Sequence, residues 1–146
     1  MSLVDHVAIC PADVAESLRF YRDGLGLAVL FDVSFDADLR PLLGVPTTTV
    51  RTVFLGDPER PDAGRLELFE LGGSGPLPVG APAAGLPHRG ACLISFVLPV
   101  EDTLARLAEL GLGGVPRRMP GVGGPSAVVV DPDGVMVEIL SRVPSL

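Results

Sequence analysis

The stretch DHVAICPADVAESLRFYRDGLGL, residues Asp5 to Leu27, decides how the rest of the chain is read. Together with Val4 its opening is a short β-prone run. Val7 and Ile9 fall on one face of an extended strand, and His6, Ala8 and Cys10 fall on the other. Pro11 ends that run. Asp13 is suited to cap a helix, and Glu16 three residues on makes a capping-box-like pair with it. Val14, Leu18, Tyr21 and Leu25 then recur at helical spacing until Gly24 and Gly26 stop the helix. A strand therefore leads straight into an amphipathic helix.

Working outward, LAVLFDVSF reads as a second strand, and the stretch Asp36 to Pro46 as irregular, with Pro41 and Pro46 as breakers. Thr47 to Leu55 is rich in Thr and Val and reads as a third strand. Gly56 to Gly64 is a turn-rich loop, and Arg65 to Leu71 a fourth strand. On that strand Leu66, Leu68 and Glu70 share one face, and Arg65, Glu67, Phe69 and Leu71 the other. The segment Gly72 to Pro87 is dominated by Gly, Pro and Ala and reads as a linker, with a substrate loop as the competing reading.

After the linker the order recurs. Ala91 to Leu98 is a strand ended by Pro99, and Val100, Leu104, Leu107 and Leu110 mark one face of a helix. GGVPRRM is a weak strand or a loop, and Ser126 to Arg142 reads as two strands joined by the turn Asp131-Pro132-Asp133-Gly134. Val14, Glu16, Ser17 and Leu18 fall on Val100, Asp102, Thr103 and Leu104, and Glu67 falls on Glu138. The second copy is shorter by about fifteen residues, which the missing Asp36–Pro46 and Gly56–Gly64 stretches absorb. The expectation is two βαβββ modules, residues 4–71 and 91–142, joined by a Gly/Pro-rich linker over 72–90.

Composition narrows the function. The chain has 146 residues, 47% of them hydrophobic, enough to bury a core. Lys and Arg number 11 against 18 Asp and Glu, a net charge of −7, which argues against nucleic acid as a partner. No apolar run is long enough to cross a bilayer, and the N-terminus lacks a basic leader, so no membrane association and a cytoplasmic location are expected. Cys10 and Cys92 are expected to be buried thiols rather than a disulfide.

Three pieces of text, DHVAICPADVAESLRFYRDGLGL, RLELFEL and DPDGVMVEIL, resemble the vicinal-oxygen-chelate superfamily, which includes glyoxalases, bleomycin resistance proteins and extradiol dioxygenases. The resemblance covers nearly the whole chain apart from the linker, and it does not single out one reaction. It implies an α+β fold in which two βαβββ modules form an open, cleft-containing mixed β-barrel. It also implies a divalent metal (zinc, nickel, cobalt, manganese or iron) held by His6, Glu67 and Glu138. The fourth position of the family pattern, usually a His, falls on Cys92 in this reading, a departure.

The residues themselves fit that implication unevenly. Glu67 and Glu138 are carboxylates inside apolar strands, costly if buried unless paired or metal-bound, and a cation would offset their mutual repulsion. If Cys92 ligates as a thiolate, the set suits zinc or another borderline metal. If it is core, which is the favoured reading, one imidazole and two carboxylates leave open positions for water and substrate oxygens. His88 and the Arg117-Arg118 pair read as solvated side chains, and Phe20-Tyr21 as helix core.

By analogy with the family, Glu138 first and Glu67 second are the candidates to move a proton next to a metal-polarised carbonyl. That points to a lyase, isomerase or epimerase acting on a small oxygenated substrate. A metal-free protein that sequesters a small molecule, or a non-catalytic dimeric module, are the alternatives. The shortage of aromatic residues counts mildly against sequestration. A homodimer is expected.

Overall fold

The computed structural model describes residues 3–121 and 123–141. Arg142, the expected last residue of the second module, lies outside the described residues. The element order is β1 (His6–Ile9), α1 (Val14–Leu18) continuing as π-helical turns over Arg19–Gly24, β2 (Ala28–Asp36), α2 (Arg40–Leu43), β3 (Thr49–Gly56) and β4 (Arg65–Gly72). A second series follows: β5 (Leu93–Val97), α3 (Val100–Glu109), β6 (Gly113–Gly121), β7 (Gly124–Val130) and β8 (Met136–Leu140). The expected βαβββ order is present twice, and the fold is α+β.

Each series makes one four-stranded mixed sheet with the same topology, β1-β4-β3-β2 and β5-β8-β7-β6. The first strand of each pairs in parallel with the fourth, and the remaining pairs are antiparallel. Neither sheet closes on itself. The chain divides into two compact units that do not follow module order. One unit is the chain up to Ala15 together with Leu27–Pro78. The other is Glu16–Gly26 together with the chain from Val79 onward.

In the first unit, Val53, Leu55, Leu66 and Leu68 share one face of the sheet and are buried. The opposite face carries His6 and Ala8 on β1, Arg65, Glu67 and Phe69 on β4, Thr52 and Phe54 on β3, and Phe31, Val33 and Phe35 on β2. Asp13 Oδ1 accepts the Ala15 N–H at 2.9 Å, the cap its position suggests. The stretch taken as irregular contains α2. Pro41 starts that helix rather than breaking it, because a first-turn residue needs no N–H partner. Thr47 Oγ1 braces the turn by accepting the Leu39 N–H at 2.8 Å and donating to the Ala37 carbonyl at 2.6 Å.

In the second unit, Ala127, Val129, Val137 and Ile139 line the buried sheet face, with Leu104 and Leu107 of α3 and Phe20, Tyr21 and Leu25 buried in the same unit. The Leu25 N–H bonds to the Phe20 carbonyl at 2.9 Å, a five-residue closure. This widened turn explains why Phe20, off the expected stripe, is buried along with Tyr21 and Leu25. The Arg106 guanidinium donates to the Gly24 carbonyl at 3.0 Å, tying α3 to the end of these turns.

GGVPRRM is a full strand. β6 tolerates Pro116 and Pro120 because it lies at a sheet edge and carries a register shift between Gly113 and Arg117. The cysteines correct the expectation of burial. Neither is in a disulfide, but Cys10, just past the end of β1, is exposed, and Cys92, just before β5, is half-buried.

Candidate functional site

Parallel pairing of β1 with β4 aligns His6 with Arg65 and Ala8 with Glu67, so His6 and Glu67 project from the same sheet face on adjacent strands. Their side chains meet, with His6 Nε2 3.2 Å from Glu67 Oε2. The other imidazole nitrogen is occupied: Nδ1–H donates to Asp5 Oδ1 at 2.6 Å. That bond fixes the ring's orientation and directs Nε2 at Glu67. Asp5 also accepts from the Arg65 guanidinium. The hydrogen bond from His6, followed by that from Arg65, holds the Asp5 carboxyl below its ordinary range.

Glu67 is buried, and a buried carboxylate needs partners. Thr52 Oγ1 on β3 donates to Glu67 Oε1 at 2.5 Å, which leaves Oε2 for His6. Phe54, directly opposite Glu67 in the register, packs edge-on against the His6 ring with centroids 4.9 Å apart. Phe31 stacks on Phe54 at 4.5 Å, and the Arg65 guanidinium lies 4.8 Å from the Phe54 ring centre. Of the six Phe in the chain, Phe31, Phe35, Phe54 and Phe69 lie on this one face.

The second unit presents Glu138 on β8 in the register position that Glu67 has on β4. Glu138 pairs with Ser95 on β5 and Val128 on β7. Ser95 Oγ donates to Glu138 Oε2 at 2.5 Å. The equivalence also locates the counterpart of His6. Since Ala8 corresponds to Ser95, His6 two residues earlier corresponds to Leu93, and Cys92 precedes the strand. Leu93 offers no donor.

The structure thus brings His6 and Glu67 together in one unit and places Glu138 in the other. No group of three or more His, Cys, Asp and Glu among the described residues is placed to hold a metal. The His6–Glu67 pair supplies two donors, short of the three or four protein ligands that metal sites ordinarily have. It offers one nitrogen and one carboxylate oxygen, and two donors each ~2.1 Å from a common ion sit about 3 Å apart. Asp5 behind the imidazole is the kind of support that metal-ligating histidines have.

Thr52, Ser95 and Asp5 were not evident from sequence. The available signals were Asp5 next to His6 and a hydroxyl residue on each strand flanking a candidate Glu. Other candidates have structural roles. The Arg117 guanidinium donates to the Gly85 carbonyl, and that of Arg118 to Glu101, so neither is an unengaged anion site. His88 is half-buried. Asp131 of the DPDG turn accepts the Asp133 and Val135 N–H groups at 2.9 and 2.8 Å, and the Tyr21 hydroxyl at 2.8 Å. Both motifs therefore serve the fold.

Fold and residues together define a two-module chain of the glyoxalase type. The pattern of the Glyoxalase/Bleomycin resistance protein/Dioxygenase superfamily matches residues 3–139, and the chain belongs to that superfamily. It is 34% identical over 149 residues to the lactoylglutathione lyase-like protein terB of Aspergillus terreus, covering 95% of this chain and 75% of that one. Among solved structures it resembles the trypanothione-dependent glyoxalase I of Leishmania major. The TM-score there is 0.63 at 25% identity, with 96% of this chain and 86% of that one covered. A glyoxalase family protein from Bacillus cereus shares the fold at a TM-score of 0.74 and 14% identity, over 95% and 93% of the two chains. No helix among the described residues is long and apolar enough to cross a membrane.

Proposed function

We propose that the chain is a divalent-metal-dependent lyase, isomerase or epimerase that moves a proton on a small oxygenated substrate. The observation that carries this reading is the His6–Glu67 pair, oriented from behind by Asp5 and Thr52. His6 and Glu67 are one half of the proposed ligand set and Glu138 is the other. Leu93, not Cys92, has the register position that His6 has on β1, which favours the three-residue set His6, Glu67 and Glu138 over one that includes Cys92. A bound cation would polarise a substrate carbonyl and stabilise negative charge on its oxygen.

The protein's own residues divide the remaining work. Glu67, buried and engaged at both oxygens, is suited to stay fixed as a ligand. Glu138 is half-buried and bonded to one hydroxyl, so it is suited to take and return a proton. Phe31 and Phe54 form an apolar wall beside His6, suited to line the substrate side of the pair. The substrate class is supported by the lactoylglutathione lyase-like relative, whose name describes chemistry of this kind.

Metal analysis of the purified protein tests the reading. One equivalent of zinc, nickel, cobalt, manganese or iron per site, lost in Glu138→Gln and His6→Ala, is the expected result. Protein that takes up no divalent metal under any loading condition would overturn it. A second reading, metal-free binding of a small molecule, gains from the four phenylalanines gathered on the His6 face. In that case an aromatic ligand would bind equally well with and without chelator present.

A further inference from the structure

Each sheet has one antiparallel edge strand, β2 in the first and β6 in the second. The two edges differ in how they are protected. β6 carries Pro116 and Pro120 and a register shift between Gly113 and Arg117, devices that block pairing with another chain. β2 has no proline, and its one irregularity lies near its start, between Val29 and Phe31. From Phe31 to Asp36 every residue is exposed. The Ala37 N–H bonds to the Thr48 carbonyl at 3.1 Å. By the alternation of an antiparallel ladder, Phe35 and Val33 also turn their main-chain groups toward β3, whereas Asp32, Ser34 and Asp36 turn theirs outward.

This stretch, Phe31-Asp32-Val33-Ser34-Phe35, reads much alike in both directions. Antiparallel pairing with a second copy about a twofold axis at Val33 sets Phe31 opposite Phe35, Asp32 opposite Ser34 and Val33 opposite itself. The residues that exchange main-chain hydrogen bonds are then Asp32 and Ser34, whose groups already point outward. Phe31, Val33 and Phe35 share one sheet face, where Phe31 stacks on Phe54 at 4.5 Å, so the apolar side chains of the two copies run on as one stripe. On the other face Asp32 is neutralised by Arg51 at 2.8 Å and meets a serine of the second copy rather than a carboxylate. Moving the axis by one residue along β2 opposes Asp32 to itself or to Asp36, an arrangement that like charges disfavour. The charges therefore single out Val33 as the centre.

We propose that β2 is the docking edge for a second copy of this chain, paired antiparallel about Val33, so that two first sheets join edge to edge. The partner is the chain itself because both faces of β2 complement their own image under the twofold axis. Each copy uses its β2 edge once, so the assembly closes at two. Phe35 of the second copy extends the wall that Phe31 and Phe54 form beside His6. The pairing does not depend on the metal-dependent reading above.

Sedimentation velocity and cysteine cross-linking on the full chain test this. Wild type is expected to sediment as a dimer at tens of micromolar. Ser34→Pro removes an N–H that faces away from β3, so the chain's own ladder stays intact while the dimer weakens about 10-fold or more. Circular-dichroism melting checks that this variant folds. In a Cys10→Ser/Cys92→Ser background, Val33→Cys sets two thiols across the axis at a non-hydrogen-bonded pair, where side chains approach most closely. It should form an interchain disulfide under mild oxidation. Phe31→Cys in the same background, whose two copies lie roughly 14 Å apart in this register, should not. A monomeric wild type, a dimer that a folded Ser34→Pro leaves unchanged, or cross-linking of Phe31→Cys as fast as Val33→Cys would overturn the proposal. If Ser34→Pro does not fold, the cross-links decide alone, and a dimer without the Val33→Cys disulfide places the contact elsewhere and overturns it.

Discussion

Tyr21, the one tyrosine of the chain, donates from a fully buried position to Asp131, itself buried. Burial lifts the Asp131 carboxyl above the ordinary carboxylate range, and the bonds from Tyr21, Val135 and Asp133 offset part of that. Because the folded state holds this proton to higher pH than the unfolded state, the stability linked to Asp131 is greatest below its unfolded pKa. It declines as pH rises through the higher folded value. The Tyr21 bond favours the charged form, so losing it should cost more as Asp131 ionises. Tyr21→Phe is expected to lose about 1–3 kcal/mol at neutral pH and distinctly less near pH ~4, where free Asp begins to protonate. Urea unfolding at the two pH values measures this, and equal losses at both would contradict the account. Tyr21 is buried, as the helix-core reading of Phe20-Tyr21 expects, and Asp131 closes the expected turn. Tyr21 and Asp131 belong to the text that reveals the family, yet their role is architectural. The groups that support the candidate site, Asp5, Thr52 and Ser95, looked like ordinary strand residues because their significance depends on pairing register.

The elements were legible where hydrophobic period and punctuation agreed. The Val100–Leu107 stripe is the buried face of α3, and the strands with Pro or Gly at their ends fall within a few residues of expectation. Legibility failed where tertiary context overrode local signals. β6 carries two prolines that an edge strand accommodates, α2 uses Pro41 as a starter, and the turns after α1 widen and bury Phe20. Leu93, one residue after Cys92, holds the register position that His6 has in the first sheet, and a one-residue step along a strand changes the face. Gly24 in these turns is another feature of packing. A Cβ there would run into the Leu107 side chain of α3, which is itself buried and has little room to yield. Gly24→Ala should therefore destabilise the protein by about 1–3 kcal/mol, as overpacking does, although alanine is the better helix former. Thermal unfolding measures it, and a variant as stable as wild type would show that Leu107 repacks freely.

For the whole molecule, β2 has unpaired backbone on one side, and it exposes Val29, Phe31, Val33 and Phe35. An open apolar edge of this kind is normally covered, and the expected cover is a second copy. Light scattering should return twice the 15.1 kDa of one chain, and a monomer at tens of micromolar would contradict this. The last consequence concerns how such a chain comes to be made. The run Glu16–Gly26 groups with the second unit, and Tyr21 bonds to a partner 110 positions downstream. A chain synthesised from its N-terminus exposes this run before α3 and Asp131, which it meets in the folded unit, have left the ribosome. The first helix must wait for partners far downstream before its apolar face is covered. The buried hydrogen bond of Tyr21 can therefore form only once Asp131 has been synthesised.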